Sequence, residues 1–145
     1  MPMTQLPTAA TTLLLVEEMP RCVPGMLFDY WTRPDLVCTW WPAEAEIEPR
    51  SGGAFRLSWP KMNWHLWGRY TTFEPGQRLA FPWQWEHMRY SLAKEVTVTF
   101  EPLAPAGTKM TITHGPYSDS EEDRQARQEH LDGWLHFVAR LQQVL

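Results

Sequence analysis

The stretch that decides the fold is the last one, SDSEEDRQARQEHLDGWLHFVARLQQVL, residues 118–145. Apolar side chains recur in it every three or four residues, which is the period of an amphipathic helix. A serine at position 118 or 120, with an acidic residue three positions later, can cap the N-terminus. The pattern predicts one long helix from about residue 120 to residue 143. The side chains expected to face the rest of the protein are Leu131, Trp134, Leu135, Val138, Leu141 and Leu145.

Seven segments before this helix carry the apolar patterns of β-strands, with turn signals between them. Their short links favour antiparallel pairing of neighbours in a meander. Only the final helix is long enough to cover one face of such a sheet. The sequence therefore predicts an α+β fold, in which a curved antiparallel sheet of six or seven strands wraps around the long C-terminal helix. The strands are predicted at residues 13–19, 45–48, 54–59, 65–73, 79–85, 93–101 and 108–114.

Two short helices are predicted after the first strand, in VPGMLFDYWTRPDLVCTWWP, residues 23–42. Pro24 suits a first helical turn, and Pro34 both ends the first helix and begins the second. Residues 1–10 have no apolar period and contain two prolines, so they are expected to form a flexible N-terminal arm. Residues 11–145 remain as a single domain, a size typical of one hydrophobic core.

The composition excludes several classes of protein. The formal charge is −4 and the basic residues are scattered, which argues against a nucleic-acid partner. No apolar run approaches the roughly 18–20 residues of a membrane span. No lysine or arginine precedes Arg21, so the sequence lacks the pattern of a secretory signal, and a cytoplasmic protein is expected. Cys22 and Cys38 form no CxxC pair and are interpreted as two buried thiols.

Five segments carry a resemblance to a known family: TRPDLVCTWWP, SGGAFRLSW, GRYTTFEPGQRLAFPW, VTVTFEPLAPAGTKMTITHGPY and LDGWLHFVARL. In this order and spacing they resemble homologues of the activator of heat-shock-protein-90 ATPase, within the START-like, birch-pollen-allergen-like (SRPBCC) superfamily. The resemblance covers roughly residues 11–145 and implies a single START-like helix-grip domain with an internal cavity. Relatives carry lipids or small hydrophobic molecules, or act as polyketide cyclases and aromatases, so the resemblance implies no single activity.

Two segments depart from the family pattern. WPKMNWHLWGRY, residues 59–70, is rich in tryptophan, and DSEED, residues 119–123, is a run of acidic residues broken by one serine. Each either marks a specialised pocket or entrance, or has no functional meaning.

The aromatic residues are the main candidates for a site. The chain has nine tryptophans, and Phe81, Trp83 and Trp85 alternate along one predicted strand. Such rings either fill the core or line a pocket between sheet and helix, opposite Trp134. The residues predicted to line a ligand cavity are Phe55, Leu57, Trp67, Tyr70, Phe81, Trp83, Trp85, Ile112, His114 and Trp134.

The remaining chemistry-bearing residues give weaker signals. The five histidines show no metal-ligand spacing, and neither a metal nor a cofactor is predicted. His114 shares a strand face with Ile112, which favours an interior histidine over a catalytic one. Arg56, Arg69 and Glu46 are interpreted as solvated charges on a sheet face.

Two glycine positions carry structural predictions. Gly52 and Gly53 in RSGG are expected to take positive φ in a turn. Gly133, inside the long helix, either allows close approach of the helix to the sheet or marks a soft point for ligand entry.

Three hypotheses for function follow. The first is a non-catalytic module that binds a small hydrophobic or aromatic molecule in the cavity. The second is a co-chaperone-like protein whose surface binds a chaperone or another protein. The third is a polyketide cyclase or aromatase-like enzyme with a buried acid–base pair, for which His114 and Tyr117 are the candidates.

Overall fold

A computed structural model describes residues 3–6, 11–88 and 93–145. Most of the predicted N-terminal arm, residues 1–2 and 7–10, lies outside the described residues. Residues 4–6 within the arm form a strand that the sequence analysis did not predict. Because this strand comes first, the two short helices follow the second strand of the chain rather than the first.

The described residues form nine strands. They are β1 (Thr4–Leu6), β2 (Leu13–Met19), β3 (Glu44–Ile47), β4 (Ala54–Trp59), β5 (Trp64–Arg69), β6 (Thr72–Glu74), β7 (Arg78–Trp83), β8 (Lys94–Leu103) and β9 (Gly107–Gly115).

The described part of the chain also forms three α-helices: α1 (Pro24–Thr32), α2 (Pro34–Val37) and α3 (Glu121–Val144). Proline occupies the first turn of α1 and of α2, as predicted. Of the two possible caps of α3, the structure uses Ser120, whose Oγ accepts the Asp123 backbone N–H at 3.1 Å. Two short 3-10 helices, Pro60–Met62 and Glu86–Met88, follow β4 and β7. Among the helices that the structure describes, none has both the length and the apolar character needed to cross a membrane.

The strands are antiparallel and form a six-stranded sheet in the order β1-β2-β9-β8-β7-β6 and a three-stranded sheet in the order β3-β4-β5. The meander holds for β7-β8-β9 and for β3-β4-β5, whereas β2 returns to pair with β9, from Leu13 opposite His114 to Met19 opposite Thr108. An isolated bridge between Leu66 and Trp85 connects the two sheets. The α+β architecture, with its large antiparallel sheet and long C-terminal helix, is confirmed.

The strand predicted at residues 65–73 is in fact two strands that belong to different sheets. The Tyr70 N–H donates to the Gly53 carbonyl beside β4, and the next N–H, from Thr71, donates to the Ala80 carbonyl in β7, each at 2.9 Å. The backbone therefore changes partners between these two residues. Long-range pairing makes this corner, and the local apolar pattern carries no sign of it.

The core is formed by residues of both sheets, of α1 and of one face of α3. Trp134, Val138 and Leu141 of α3 are buried there as predicted. The prediction for Leu135 and Leu145 is wrong, since both are 37% exposed. Each helical residue turns by about 100°, so Leu135 lies at the flank of a stripe centred on Trp134 and Val138. Leu145 follows the last helical residue.

The turn before β4 corrects one expectation about glycine. Gly52 has the predicted positive φ, 74°, whereas Gly53 does not. At Gly53 a Cβ atom would collide with the backbone carbonyl oxygens of Glu48 and Arg50. The turn needs Gly53 because its backbone passes too close to these oxygens for any side chain.

Candidate functional site

A groove of about 510 Å³ opens at one end of the molecule, between α3 and the ends of β4, β5 and β7. We call it the aromatic groove, and it lies within the usual range of ligand pockets, about 300–1,000 Å³. Its lining residues are Trp41, Trp59, Met62, Trp64, Trp83, Trp85, His87, Met88, Glu129, His130, Gly133, Trp134 and Phe137. Trp41 and Trp134 are almost fully buried, while Met62, Trp64 and Met88 are exposed at the rim.

The rings of the aromatic groove contact one another continuously. Trp83 is central, with ring centroids 5.5 Å from both Trp85 and Trp134 and 6.0 Å from Trp41. Trp85 continues the chain to Trp59 at 5.6 Å and to Trp64 at 5.7 Å. These contacts are edge-to-face, tilted or stacked, which are favourable arrangements for neighbouring aromatic rings.

Two stacked imidazoles lie at the deep end of the aromatic groove, where His130 lines it and His114 lies directly behind. The rings of His114 and His130 are 4.4 Å apart and nearly parallel, at 7°. The Trp134 indole N–H donates to Nδ1 of His114 at 3.0 Å, so His114 carries its proton on Nε2. Burial, His130 and Lys94 hold the pKa of His114 well below its usual value. His114 is fully buried, and Nε2 has no hydrogen-bond partner among the described residues.

His130 is held from the other side by Tyr117. The Tyr117 hydroxyl and Nδ1 of His130 are 2.7 Å apart and share a hydrogen bond. Burial, with a contribution from Lys94, lowers the pKa of His130 to about 4, and burial raises the pKa of Tyr117. Both groups are therefore neutral near pH 7.

A charged pair lies beyond Tyr117. Lys94 Nζ is 5.1 Å from the centroid of the Tyr117 ring and 3.0 Å from the Asp123 carboxylate. The Ser118 backbone N–H and Lys94 together lower the pKa of Asp123 to about 2. Asp123 belongs to the DSEED run, so part of that run caps α3 and anchors Lys94 behind the histidines.

The structure separates the ten residues that the sequence predicts for a ligand site. Trp83, Trp85 and Trp134 line the aromatic groove, and His114 lies directly behind it, 4.8 Å from the Trp83 ring. Trp67 is 46% exposed on the opposite face of β5. The other five are packed in the core: Phe55, Leu57, Tyr70, Phe81 and Ile112.

The internal cavity expected from the family resemblance is almost completely filled. Beside Phe55, Leu57, Tyr70 and Phe81 only a void of about 10 Å³ remains, which barely admits one water molecule. The open space lies nearer the surface, at the end of the sheet.

The sequence analysis did not assign ten of the lining residues to the site, although it considered one of them, Gly133, as a soft point for ligand entry. The other nine are Trp41, Trp59, Met62, Trp64, His87, Met88, Glu129, His130 and Phe137. The tryptophan-rich segment 59–70 was the available signal, because three of these residues come from it. Trp41 and His130 reach the groove only through the packing of α2 and α3, which no local pattern predicts.

Two other hollows are larger, about 670 Å³ and 960 Å³, but polar side chains form a greater part of their walls. The first lies on the outer face of the three-stranded sheet, where Trp67 is flanked by charges such as Arg56, which pairs with Glu86 at 3.0 Å. The second lies between β1, β2 and α3, and its walls include Glu17 and Gln142. Neither combines apolar walls with a neutral polar end, so the aromatic groove is the stronger candidate.

The structure does not show the close approach of the helix to the sheet that the sequence analysis considered at Gly133. A Cβ atom there would meet no atom within 4 Å, and Gly133 lines the aromatic groove. The absence of a side chain therefore keeps the groove open and does not serve contact between helix and sheet.

Replacing Gly133 by alanine should make the protein more stable. Glycine inside a helix costs about 1 kcal/mol relative to alanine, and the added methyl group meets open space. We expect the free energy of unfolding in urea to rise by about 0.5–1 kcal/mol. A loss of stability would mean that Gly133 has a packing role after all.

Comparison with known proteins agrees with this fold. Over residues 21–145 the sequence matches the family described as Activator of Hsp90 ATPase homolog 1-like protein. No functionally curated protein matches the sequence significantly.

Among solved structures, protein MLL2253 from Mesorhizobium loti is 25% identical, with a TM-score of 0.76, and the match covers 90% of this chain and 94% of that one. An HSP90 activator from Plasmodium falciparum is 19% identical, with a TM-score of 0.75 and coverage of 92% and 95%.

DynU16, from the dynemicin biosynthetic locus, is 19% identical, with a TM-score of 0.77; the match covers 92% of this chain and 46% of DynU16. The similarity to the last two structures is one of fold alone. The family match spans most of the chain and agrees with the helix and sheet architecture described above. The chain therefore belongs to the Activator of Hsp90 ATPase homolog 1-like family.

Proposed function

We propose that the protein binds a small hydrophobic or aromatic molecule in the aromatic groove and does not transform it. The observation that carries the proposal is the convergence of six tryptophans on one open space of about 510 Å³, while only about 10 Å³ is empty beside the core residues Phe55, Leu57, Tyr70 and Phe81. Large apolar rings left partly in water are costly, and a ligand that covers them gains about 25 cal/mol per Å² of apolar surface buried. The ordering of ligand and side chains offsets part of that gain.

The test uses a neutral fluorescent apolar probe, N-phenyl-1-naphthylamine, with a blocking variant and its matched control. In Gly133→Leu the new side chain extends into the groove, whereas in Gly133→Ala it adds only a methyl group. We expect the probe to bind the native protein and Gly133→Ala, and binding to Gly133→Leu to weaken at least about tenfold, or 1.4 kcal/mol. Binding that is absent, or equal in all three proteins, would contradict the proposal.

The natural ligand can be sought directly. Native mass spectrometry of the protein purified from its own host would show a retained ligand as added mass. The cytoplasmic location expected from the sequence stays a prediction.

A catalytic role is the second candidate, favoured by one observation. Tyr117 and His130 form a hydrogen-bonded pair of neutral proton-exchanging groups, and His130 lines the groove. A cyclase or aromatase requires an acid–base pair of this kind. The sequence analysis suggested His114 as the partner of Tyr117, and in the structure that partner is His130. Chemical change of a bound molecule that His130→Gln abolishes would favour this role.

A co-chaperone-like role is the third candidate. The relative from Plasmodium falciparum is described as an HSP90 activator, and the exposed rim of Met62, Trp64 and Met88 offers an apolar contact surface. Binding of a purified chaperone that is lost in Trp64→Ser would favour this role.

A further inference from the structure

Six indoles line the aromatic groove, and four of them, Trp59, Trp64, Trp83 and Trp85, are partly or largely exposed. An indole face carries the negative part of the ring quadrupole, and among aromatic side chains tryptophan attracts cations most strongly. The rings do not lie in one plane: the angle between Trp83 and Trp85 is 84°, and Trp85 meets Trp59 at 62°. Rings at such angles line the groove from several directions, so a ligand in it can contact more than one indole.

Among the described residues, the charge at the edge of the aromatic groove has the sign that suits a cation. Glu129 is the one charged residue of the described lining, which contains no lysine or arginine. His130 is neutral at the deep end, and Lys94 behind it is paired with the Asp123 carboxylate. The chain as a whole has a formal charge of −4. An anionic ligand such as a fatty acid would find no lysine or arginine among the described lining residues.

The groove also discriminates between kinds of cation. A primary ammonium has three N–H groups that need acceptors, and an apolar groove that strips off their water must replace them. The side-chain acceptors of the described lining are the Glu129 carboxylate at the edge and the imidazoles of His87 and His130. A quaternary ammonium has no N–H group, so it needs no hydrogen-bond acceptor and can be stabilised by contact with aromatic faces alone.

On this basis we propose, building on the ligand-binding function above, that the aromatic groove takes an organic cation. Its head is a quaternary ammonium enclosed by the tryptophans, and an apolar substituent occupies the remaining length of the groove. The volume of about 510 Å³ leaves room for both parts. Glu129 attracts the cation at the rim, and the indoles hold it.

The test compares choline with 3,3-dimethylbutan-1-ol, which has the same shape but carries a neutral tert-butyl group in place of the trimethylammonium. Binding is followed by proton NMR, because enclosure by indole faces shifts the methyl signal upfield. We expect choline to bind at least about tenfold more tightly than its neutral isostere. Equal binding, or tighter binding of the alcohol, would overturn the inference.

Three variants locate the effect. Trp85→Leu keeps an apolar side chain but removes an aromatic face, so choline should lose at least about tenfold in affinity and the neutral isostere much less. Glu129→Gln should weaken choline a few-fold and reduce its dependence on salt concentration. Trp67→Leu, on the opposite face of β5, is the control and should change nothing. Equal losses for choline and the alcohol in Trp85→Leu would contradict the cation–π contact.

The inference and the proposed function fail in different ways. If N-phenyl-1-naphthylamine binds in a manner that Gly133→Leu blocks but choline does not bind, the groove is a site for neutral molecules and only the inference is wrong. If neither compound binds, both are wrong. Circular dichroism of each variant shows that any loss comes from the groove and not from unfolding.

Discussion

Acidification from pH 6.5 to pH 4 is expected to lower the free energy of unfolding by about 3 kcal/mol or more, because two buried histidines must stay neutral in the folded protein. Protonation of His114 at Nδ1 would place a second hydrogen in the 3.0 Å gap that the Trp134 N–H already occupies. His130, stacked on His114 at 4.4 Å, would bring a positive charge against the same buried ring.

The direction of this pH effect follows from the pKa of His130 in the unfolded and in the folded state. The pKa of His130 falls from 6.5 in the unfolded chain to about 4 in the folded protein. The stabilisation is complete well above pH 6.5, where neither state binds the proton, and is lost as the unfolded state takes up protons around and below that value. Below pH 4 the folded state is protonated as well, and this loss ends. The difference corresponds to about 3 kcal/mol for His130, to which His114 adds in the same direction.

Other groups modify this profile. Burial raises the pKa of Glu17, so the folded state binds that proton first and the contribution of Glu17 opposes the loss on acidification. The pKa of Asp123 is lowered to about 2 from 3.8, so its contribution is lost mainly below pH 4. The histidines therefore dominate between pH 6.5 and pH 4.

Urea unfolding at pH 6.5, 5.5 and 4.5 measures the effect. His130→Gln, which keeps an acceptor for the Tyr117 hydroxyl, is the matched variant and should reduce the slope of stability against pH. A free energy of unfolding that stays constant across this range would refute the prediction. So would an NMR titration of His130 with a midpoint near pH 6.5.

Local patterns predicted much of the secondary structure because those elements bury one regular face. β4 buries Phe55 and Leu57 on either side of the exposed Arg56, and the C-terminal half of α3 carries an apolar stripe. The corner at Tyr70 could not be predicted in this way, since it depends on which distant carbonyls the backbone reaches. Long-range pairing overrides a continuous local strand pattern.

The candidate site was predicted only in part, for a related reason. Alternation along β7 correctly put Trp83 on the inner face, but the same rule applied to β5 separates Trp67 from the buried Leu66. The alternation along β5 therefore already indicated that Trp67 faces away from the core, and its assignment to the site overlooked this. Whether the inner rings leave a space depends on side-chain volumes summed over several elements, and a single sequence does not give that sum.

Trp40→Ala is expected to destabilise the protein by about 3–5 kcal/mol, the usual cost of truncating a buried tryptophan. Trp40 is fully buried, and its ring packs against Trp31 at 4.9 Å and Trp41 at 5.5 Å. Its indole N–H also donates to the Tyr30 carbonyl at 2.8 Å. The helical partner of that carbonyl would be residue 34, which is a proline and has no N–H to donate.

Trp40 therefore completes the hydrogen bonding at the break between α1 and α2 and supports Trp41 in the wall of the aromatic groove. Trp40→Phe keeps a ring but loses the N–H, so it should cost less than alanine, with about 1–3 kcal/mol from the carbonyl left unpaired. Urea unfolding gives both values, and a loss under 1 kcal/mol for Trp40→Ala would contradict the prediction. Because Trp41 rests on Trp40, we also expect Trp40→Ala to weaken N-phenyl-1-naphthylamine binding under conditions where the variant stays folded, whereas Trp40→Phe should largely keep it.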